Sequence, residues 1–100
     1  MEEKIKVIYC PANSAPVEKV ISNTLEAMQE LVGGYIEVCG ASTGVALVCN
    51  EEWRILGMPE NMSAPFAGLC GDVFICGTDG EDFASIAEDE VSFWLGMCRQ

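Results

Sequence analysis

No histidine occurs anywhere in the 100-residue chain, and that absence removes whole classes of chemistry. Ser-His-Asp and Cys-His catalytic pairs, His-ligated zinc and the His-x-Glu deaminase site all need an imidazole. Basic residues are scarce as well: five Lys and Arg stand against sixteen Asp and Glu, a formal net charge of −11. Lys4, Lys6, Lys19, Arg54 and Arg99 are scattered, whereas a phosphate backbone is gripped by clustered cations. Direct binding of DNA or RNA is therefore not expected, nor is attraction to an anionic membrane. The sequence also lacks a Gly-x-x-x-x-Gly-Lys-Ser/Thr phosphate loop and a Gly-x-Gly-x-x-Gly fingerprint, which leaves nucleotide-driven chemistry without support.

Long apolar runs are missing too. Each strongly hydrophobic stretch is broken by Glu, Asp or Gly within several residues, far short of the ~20 residues that span a bilayer. The first residues, Met1-Glu2-Glu3-Lys4, are acidic where a secretory signal begins with positive charge and an apolar run. The expectation is a cytoplasmic chain.

Half of the residues are hydrophobic, which is ample for a folded interior and separates this chain from disordered acidic tails. One hundred residues suit one core, so residues 1–100 are expected to form a single small acidic domain. The simplest account of the acidity is solubility and resistance to self-association. Cysteines stand at 10, 39, 49, 70, 76 and 98. In a reducing compartment they stay thiols, and no pair has the two-residue spacing of a zinc knuckle or a thioredoxin-like motif. Several fall inside apolar patterns, where a thiol acts as a small core hydrophobe; that reading outweighs a Cys-only metal site.

Patterning places the elements. Lys4 to Cys10 alternates polar and β-favouring residues before Pro11, a first strand, and Val17 to Ile21 is a second β-rich stretch that suits a hairpin with it. Asn23 with Glu26 resembles a capping box, followed by Leu25, Met28, Leu31 and Val32 on one helical face and a Gly33-Gly34 stop. Residues 35–39 and 44–49 read as a hairpin joined through residues 40–43, and as the centre of the sheet. A turn at Asn50-Glu51-Glu52 leads to a short strand from Trp53 to Leu56 and an irregular loop over residues 57–68. Val73 to Cys76 is a compact buried strand. Ser85 with Glu88 forms a second capping-box pattern, ahead of Val91, Trp94, Leu95 and Cys98 on one face of a last helix. The expected class is α+β: a mostly antiparallel sheet of four to six strands, one helix after the first strands, and a C-terminal helix packed on the sheet.

The run Leu31-Val32-Gly33-Gly34-Tyr35-Ile36-Glu37 closely resembles the central signature of a family of small proteins of unknown function from bacteriophages and mobile elements. Leu25 and Gln29-Glu30 precede it as in that family. Val48-Cys49-Asn50-Glu51-Glu52, Leu56-Gly57-Met58-Pro59 with Asn61, and Gly71-Asp72-Val73-Phe74 with Gly77 follow in order. The ordered set is specific, whereas Asn-Glu-Glu alone would mean little. Two departures stand out: Trp53 where the family usually has glycine, and Met62 where a basic residue is common. If that basic residue serves a ligand, this member has lost it. The resemblance implies a phage, prophage or plasmid setting in a bacterial host, and brings with it no activity and no catalytic residues.

Without imidazole, a catalyst here would rely on carboxylates, thiols or tyrosines. Glu37, Glu51 and Glu52 are candidates for a carboxylate site, although adjacent Glu residues in a turn point to opposite sides and face water. Asn50 suits a turn held by its own side chain. The acids of Gly71-Asp72, Gly77-Thr78-Asp79-Gly80 and Glu81-Asp82 lack the alternating ligands and terminal Glu of an EF-hand. No catalytic residue, metal or cofactor is assigned. Trp53, Met58, Met62, Pro65 and Phe66 put large apolar groups in the 53–66 segment, either as an interaction patch or as a lid on the core.

Three functional readings follow. The first is a non-enzymatic module that binds a host or mobile-element protein through its acidic surface, with Tyr35, Glu37, Asn50, Glu51, Glu52, Trp53 and Asn61 as binding residues. A sharper version is nucleic-acid mimicry, with Glu51, Glu52, Glu60, Asp79, Glu81, Asp82, Glu88, Asp89 and Glu90 standing in for phosphates. The rival is a small-molecule binder or minor enzyme centred on Tyr35, Glu37, Asn50 and Glu51. Mimicry needs carboxylates along one exposed stripe, and a ligand site needs a concave pocket.

Overall fold

The computed structural model describes residues 3–61, 69–80 and 82–98. Its strands are β1 (Lys4–Cys10), β2 (Val17–Ser22), β3 (Ile36–Ser42), β4 (Val45–Asn50), β5 (Val73–Asp79) and β6 (Asp82–Ala84). Its helices are α1 (Leu25–Val32), α2 (Trp53–Leu56) and α3 (Glu88–Met97). The six strands form one sheet in the order β2-β1-β5-β4-β3, with β6 paired to β5, and every pairing is antiparallel. The class is α+β, with one helix after the first strands and one at the C-terminal end.

The alternation of each strand divides the core between two faces of the sheet. Ile8, Cys10, Leu47, Cys49, Val73 and Ile75 point to the face covered by Val91 and Trp94 of α3, where Trp53 also packs. Ile5, Val7, Ala46, Val48, Phe74 and Cys76 point to the other face, under Met28 and Val32 of α1. All six residues of β4 are buried. A strand covered on both sides has no room for alternation in sequence, which is why Val45-Ala46-Leu47-Val48-Cys49 is continuously apolar.

Both helices start beside Asp79 at the end of β5 and finish near Asn50 at the end of β4. The registers fix this, because Cys10 is opposite Val73 and Ile36 is opposite Asn50. The Asn50 end and the Asp79 end are separated by the seven-residue length of β5, about 20 Å at ~3.3 Å per residue.

Several sequence expectations are corrected. The 35–49 hairpin is not central: β3 is an edge strand, and β5 lies between β1 and β4. Its connection is a two-residue turn at Thr43-Gly44, with Gly44 at φ +77° and Ser42 opposite Val45. Trp53 to Leu56 is a single helical turn, with Leu56 N–H donating to the Glu52 carbonyl. The α1 cap is Thr24, whose hydroxyl accepts from Ala27 N–H, while the Asn23 amide donates to the Phe83 carbonyl. The α3 cap position is Ala87; the Ser85 hydroxyl instead accepts from Lys6 N–H at 3.0 Å.

Strand β6 is an addition to the sequence reading. On the N-terminal side of Ile8, β1 parts from β5, and residues 84–86 enter between them: Ala84 lies opposite Gly77, and Ile86 N–H donates to the Lys6 carbonyl. A Cβ at Gly77 would overlap the Ser85 carbonyl, so the crossing requires glycine there. No helix among the described residues is long and apolar enough to cross a membrane.

Candidate functional site

The residues singled out in the sequence gather mainly at the Asn50 end, with different duties. Asn50 is fully buried. Its amide donates to the Val32 carbonyl at 3.0 Å, and its Oδ1 accepts from Glu52 N–H at 2.7 Å. The first bond satisfies a carbonyl left open at the end of α1, and the second closes the turn. Gly33 completes the helix stop at φ +81°, and a Cβ at Gly34 would stand 2.8 Å from the Asn50 amide nitrogen. The Gly33-Gly34 pair and Asn50 thus form one joint between α1 and β4.

Asn61 is also fully buried, and its amide donates at 2.7 Å to the carbonyls of Cys10 and Gly71. Its backbone N–H donates to the Leu69 carbonyl, and Glu60 bridges Cys70. Asn61 therefore clamps the segment after α2 to the ends of β1 and β5. Trp53 is half-buried against the α3-side core. Of the proposed patch in this segment, Met62, Pro65 and Phe66 lie outside the described residues, as does Glu81 of the proposed acidic array.

The exposed members are Tyr35, Glu37, Glu51 and Glu52. Tyr35 is 63% exposed although its carbonyl accepts from Glu51 N–H at 2.8 Å. A shallow depression of about 300 Å³ is lined by Gln29, Gly34, Tyr35 and Glu52. Asn50 lies beneath this surface and Glu37 is not part of its lining. Of Tyr35, Glu37, Asn50 and Glu51, the four residues of the small-molecule reading, only Tyr35 lines this depression.

Next to these residues are two that the sequence reading did not single out as binding groups, Ile55 and Leu56, which are 82% and 54% exposed. A strand assignment hid them, since alternation would have turned one of any adjacent pair inward. In a one-turn helix anchored by Trp53, both can face water.

The described acids of the proposed phosphate-mimicking array fall into two groups. Glu51, Glu52 and Glu60 belong to the Asn50 end, whereas Asp79, Asp82, Glu88, Asp89 and Glu90 belong to the Asp79 end. Glu88, Asp89 and Glu90 form the first turn of α3, where negative charge complements the helix macrodipole. Lys6 reaches Glu88 at 2.7 Å and Glu18 at 3.6 Å; its hydrogen bond and charge pairing with Glu88 hold its pKa above the usual lysine value. At the Asn50 end the polarity is reversed. Neither α1 nor α3 has a basic residue in its last turn, so two negative dipole ends add to the Glu51-Glu52 charges.

Other titratable groups at the Asn50 end face one another within the fold. Tyr9 donates to Asp72 at 3.1 Å, and the other Asp72 oxygen accepts from Ala12 N–H at 2.8 Å. Burial, and then the Asp72 charge, raise the Tyr9 pKa. The Cys10 and Cys98 sulfurs are 3.8 Å apart. On β4 and the bulged part of β3, Cys49 lies within hydrogen-bonding reach of Cys39, an interaction that raises the Cys49 thiol and lowers that of Cys39.

Comparison with protein families matches residues 5–99 to the model of a domain of unknown function, DUF3846. The chain belongs to that family. No curated protein and no solved structure matches it.

Proposed function

We propose that this member of a family without an assigned activity is a non-enzymatic module that binds a protein with a basic surface. The contact site is the exposed surface at the Asn50 end: Tyr35, Glu51, Glu52, Ile55 and Leu56. The partner is a host or mobile-element protein in the bacterial cytoplasm, in keeping with the phage-type signature of the sequence.

One observation carries this reading. An exposed tyrosine and two exposed aliphatic residues adjoin carboxylates at the end where both packed helices direct their negative dipoles. Aromatic and aliphatic anchors supply interface energy when water is excluded around them, and the surrounding acids steer an oppositely charged partner. The division of the acids between two ends favours this patch over mimicry of a continuous phosphate track. The buried, internally bonded Asn50 favours it over a polar ligand pocket.

The test compares capture of host proteins by the wild-type chain and by the double variant Tyr35→Ala, Ile55→Ser, at low and high salt. The expected result is a defined partner that the wild type retains at low salt, releases as screening rises, and the variant does not hold. Matching melting curves establish that the variant is folded. Equal retention of the partner by a folded variant, or capture that is indifferent to salt, refutes the proposal.

A further inference from the structure

We propose that Cys10 and Cys98 form a reversible dithiol–disulfide couple that, when oxidised, ties the end of α3 to the end of β1. The two residues are far apart in sequence yet their sulfurs are 3.8 Å apart. A disulfide needs about 2.05 Å, so closure requires a small side-chain rotation, with both backbones already held in place. Cys10 lies in the ladder opposite Val73, and its carbonyl accepts from Asn61. Cys98 caps α3, its N–H donating to the carbonyls of Trp94 and Leu95. Both belong to the cluster around Trp94.

Access sets the order of events. Cys10 is fully buried, while Cys98 is only partly covered. A low-molecular-weight disulfide such as oxidised glutathione reaches Cys98 first. The Cys98 thiol loses its proton, its sulfur attacks the glutathione disulfide, and one glutathione leaves as thiolate. Cys10 then loses its proton and attacks the Cys98 sulfur, releasing the second glutathione thiolate. Two protein thiols are oxidised by two electrons to one disulfide, glutathione disulfide is reduced to two thiols, and the two protons pass to those thiolates. Burial raises both protein thiols above ordinary cysteine behaviour, Cys10 the more strongly, so exchange is slow and each redox state is long-lived.

The consequence is a cross-link enclosing most of the chain. Such a link restricts the unfolded state strongly, and the expected gain is a Tm rise on the order of 10 °C. The experiment incubates the full chain with oxidised glutathione, alkylates the remaining thiols, and maps the linked peptides by mass. The supporting result is a single cross-link joining the Cys10 and Cys98 peptides, four alkylated cysteines, and a Tm gain that dithiothreitol reverses. The Cys98→Ser variant should melt like the reduced wild type and show neither cross-link nor gain. A stable mixed disulfide with glutathione as the end product, preferential pairing of other cysteines, or no oxidation at all overturns the proposal.

Discussion

Asn50 and Asn61 show how one residue type can serve structure at a place where sequence suggests recognition. Each is fully buried with its amide bonded to backbone carbonyls. Truncating either leaves buried polar groups without partners, so Asn50→Ala and Asn61→Ala are each expected to cost about 2–3 kcal/mol, measured by urea denaturation. Gly77→Ala should be worse tolerated than Gly80→Ala, because only the former drives a methyl group into a backbone carbonyl. The thiols make a second residue-scale prediction. Burial pushes Cys76 up to about 12 and also raises Cys10, from an ordinary value of 9.0. Above pH 9 the unfolded chain releases these protons and the folded chain keeps them. Stability is therefore full below pH 9 and falls as pH rises, by roughly 1.4 kcal/mol per pH unit for each thiol. Melting curves from pH 7 to 11 should show this decline, and Cys76→Ala should make it shallower. The Asn50 turn was legible in the sequence because an Asx turn is local. The burial of Asn50 and Asn61 was not, because it depends on Val32, Cys10 and Gly71, which are remote in the chain.

Among elements, the local ones were the most readable. Strand β1 follows its alternation and helix α1 its period at Met28 and Val32, β2 was legible from its β-branched composition although its first four residues are exposed, and Gly33-Gly34 marks the helix stop where the backbone turns left-handed. Errors arose where the deciding partner is distant. Trp53-Arg54-Ile55-Leu56 has the composition of a strand and forms a helical turn, and the three residues of β6 carry too short a pattern to be recognised. Strand order was hidden because an edge strand such as β3 and an interior strand such as β4 differ in neighbours before they differ in residues. The other edge, β2, has a protective device: Glu18 and Lys19 are exposed between Val17 and Val20, which are 49% and 60% exposed. Charges on an edge discourage pairing with another sheet. The double variant Glu18→Val, Lys19→Val should therefore self-associate at concentrations where the wild type does not, as sedimentation velocity would record.

At the scale of the whole molecule, a formal charge of −11 on 100 residues sets a background of self-repulsion. Screening should relieve it, and Tm is expected to rise by a few degrees between about 20 mM and about 500 mM NaCl. The same salt should weaken partner capture, so stability and binding are predicted to move in opposite directions. The acidity was evident from composition, but the separation of Glu51, Glu52 and Glu60 from the acids near Asp79 became visible only with the topology, since α1 and α3 run the same way on opposite faces. The position of β5 has one more consequence. During synthesis the β1–β2 and β3–β4 hairpins leave the ribosome first, each with an inner edge that has nothing to bond until the strand ending at Asp79 emerges between them. Completion of the sheet thus waits for the last third of the chain, a long-range closure of the kind that slows folding and leaves nascent strands open to wrong neighbours.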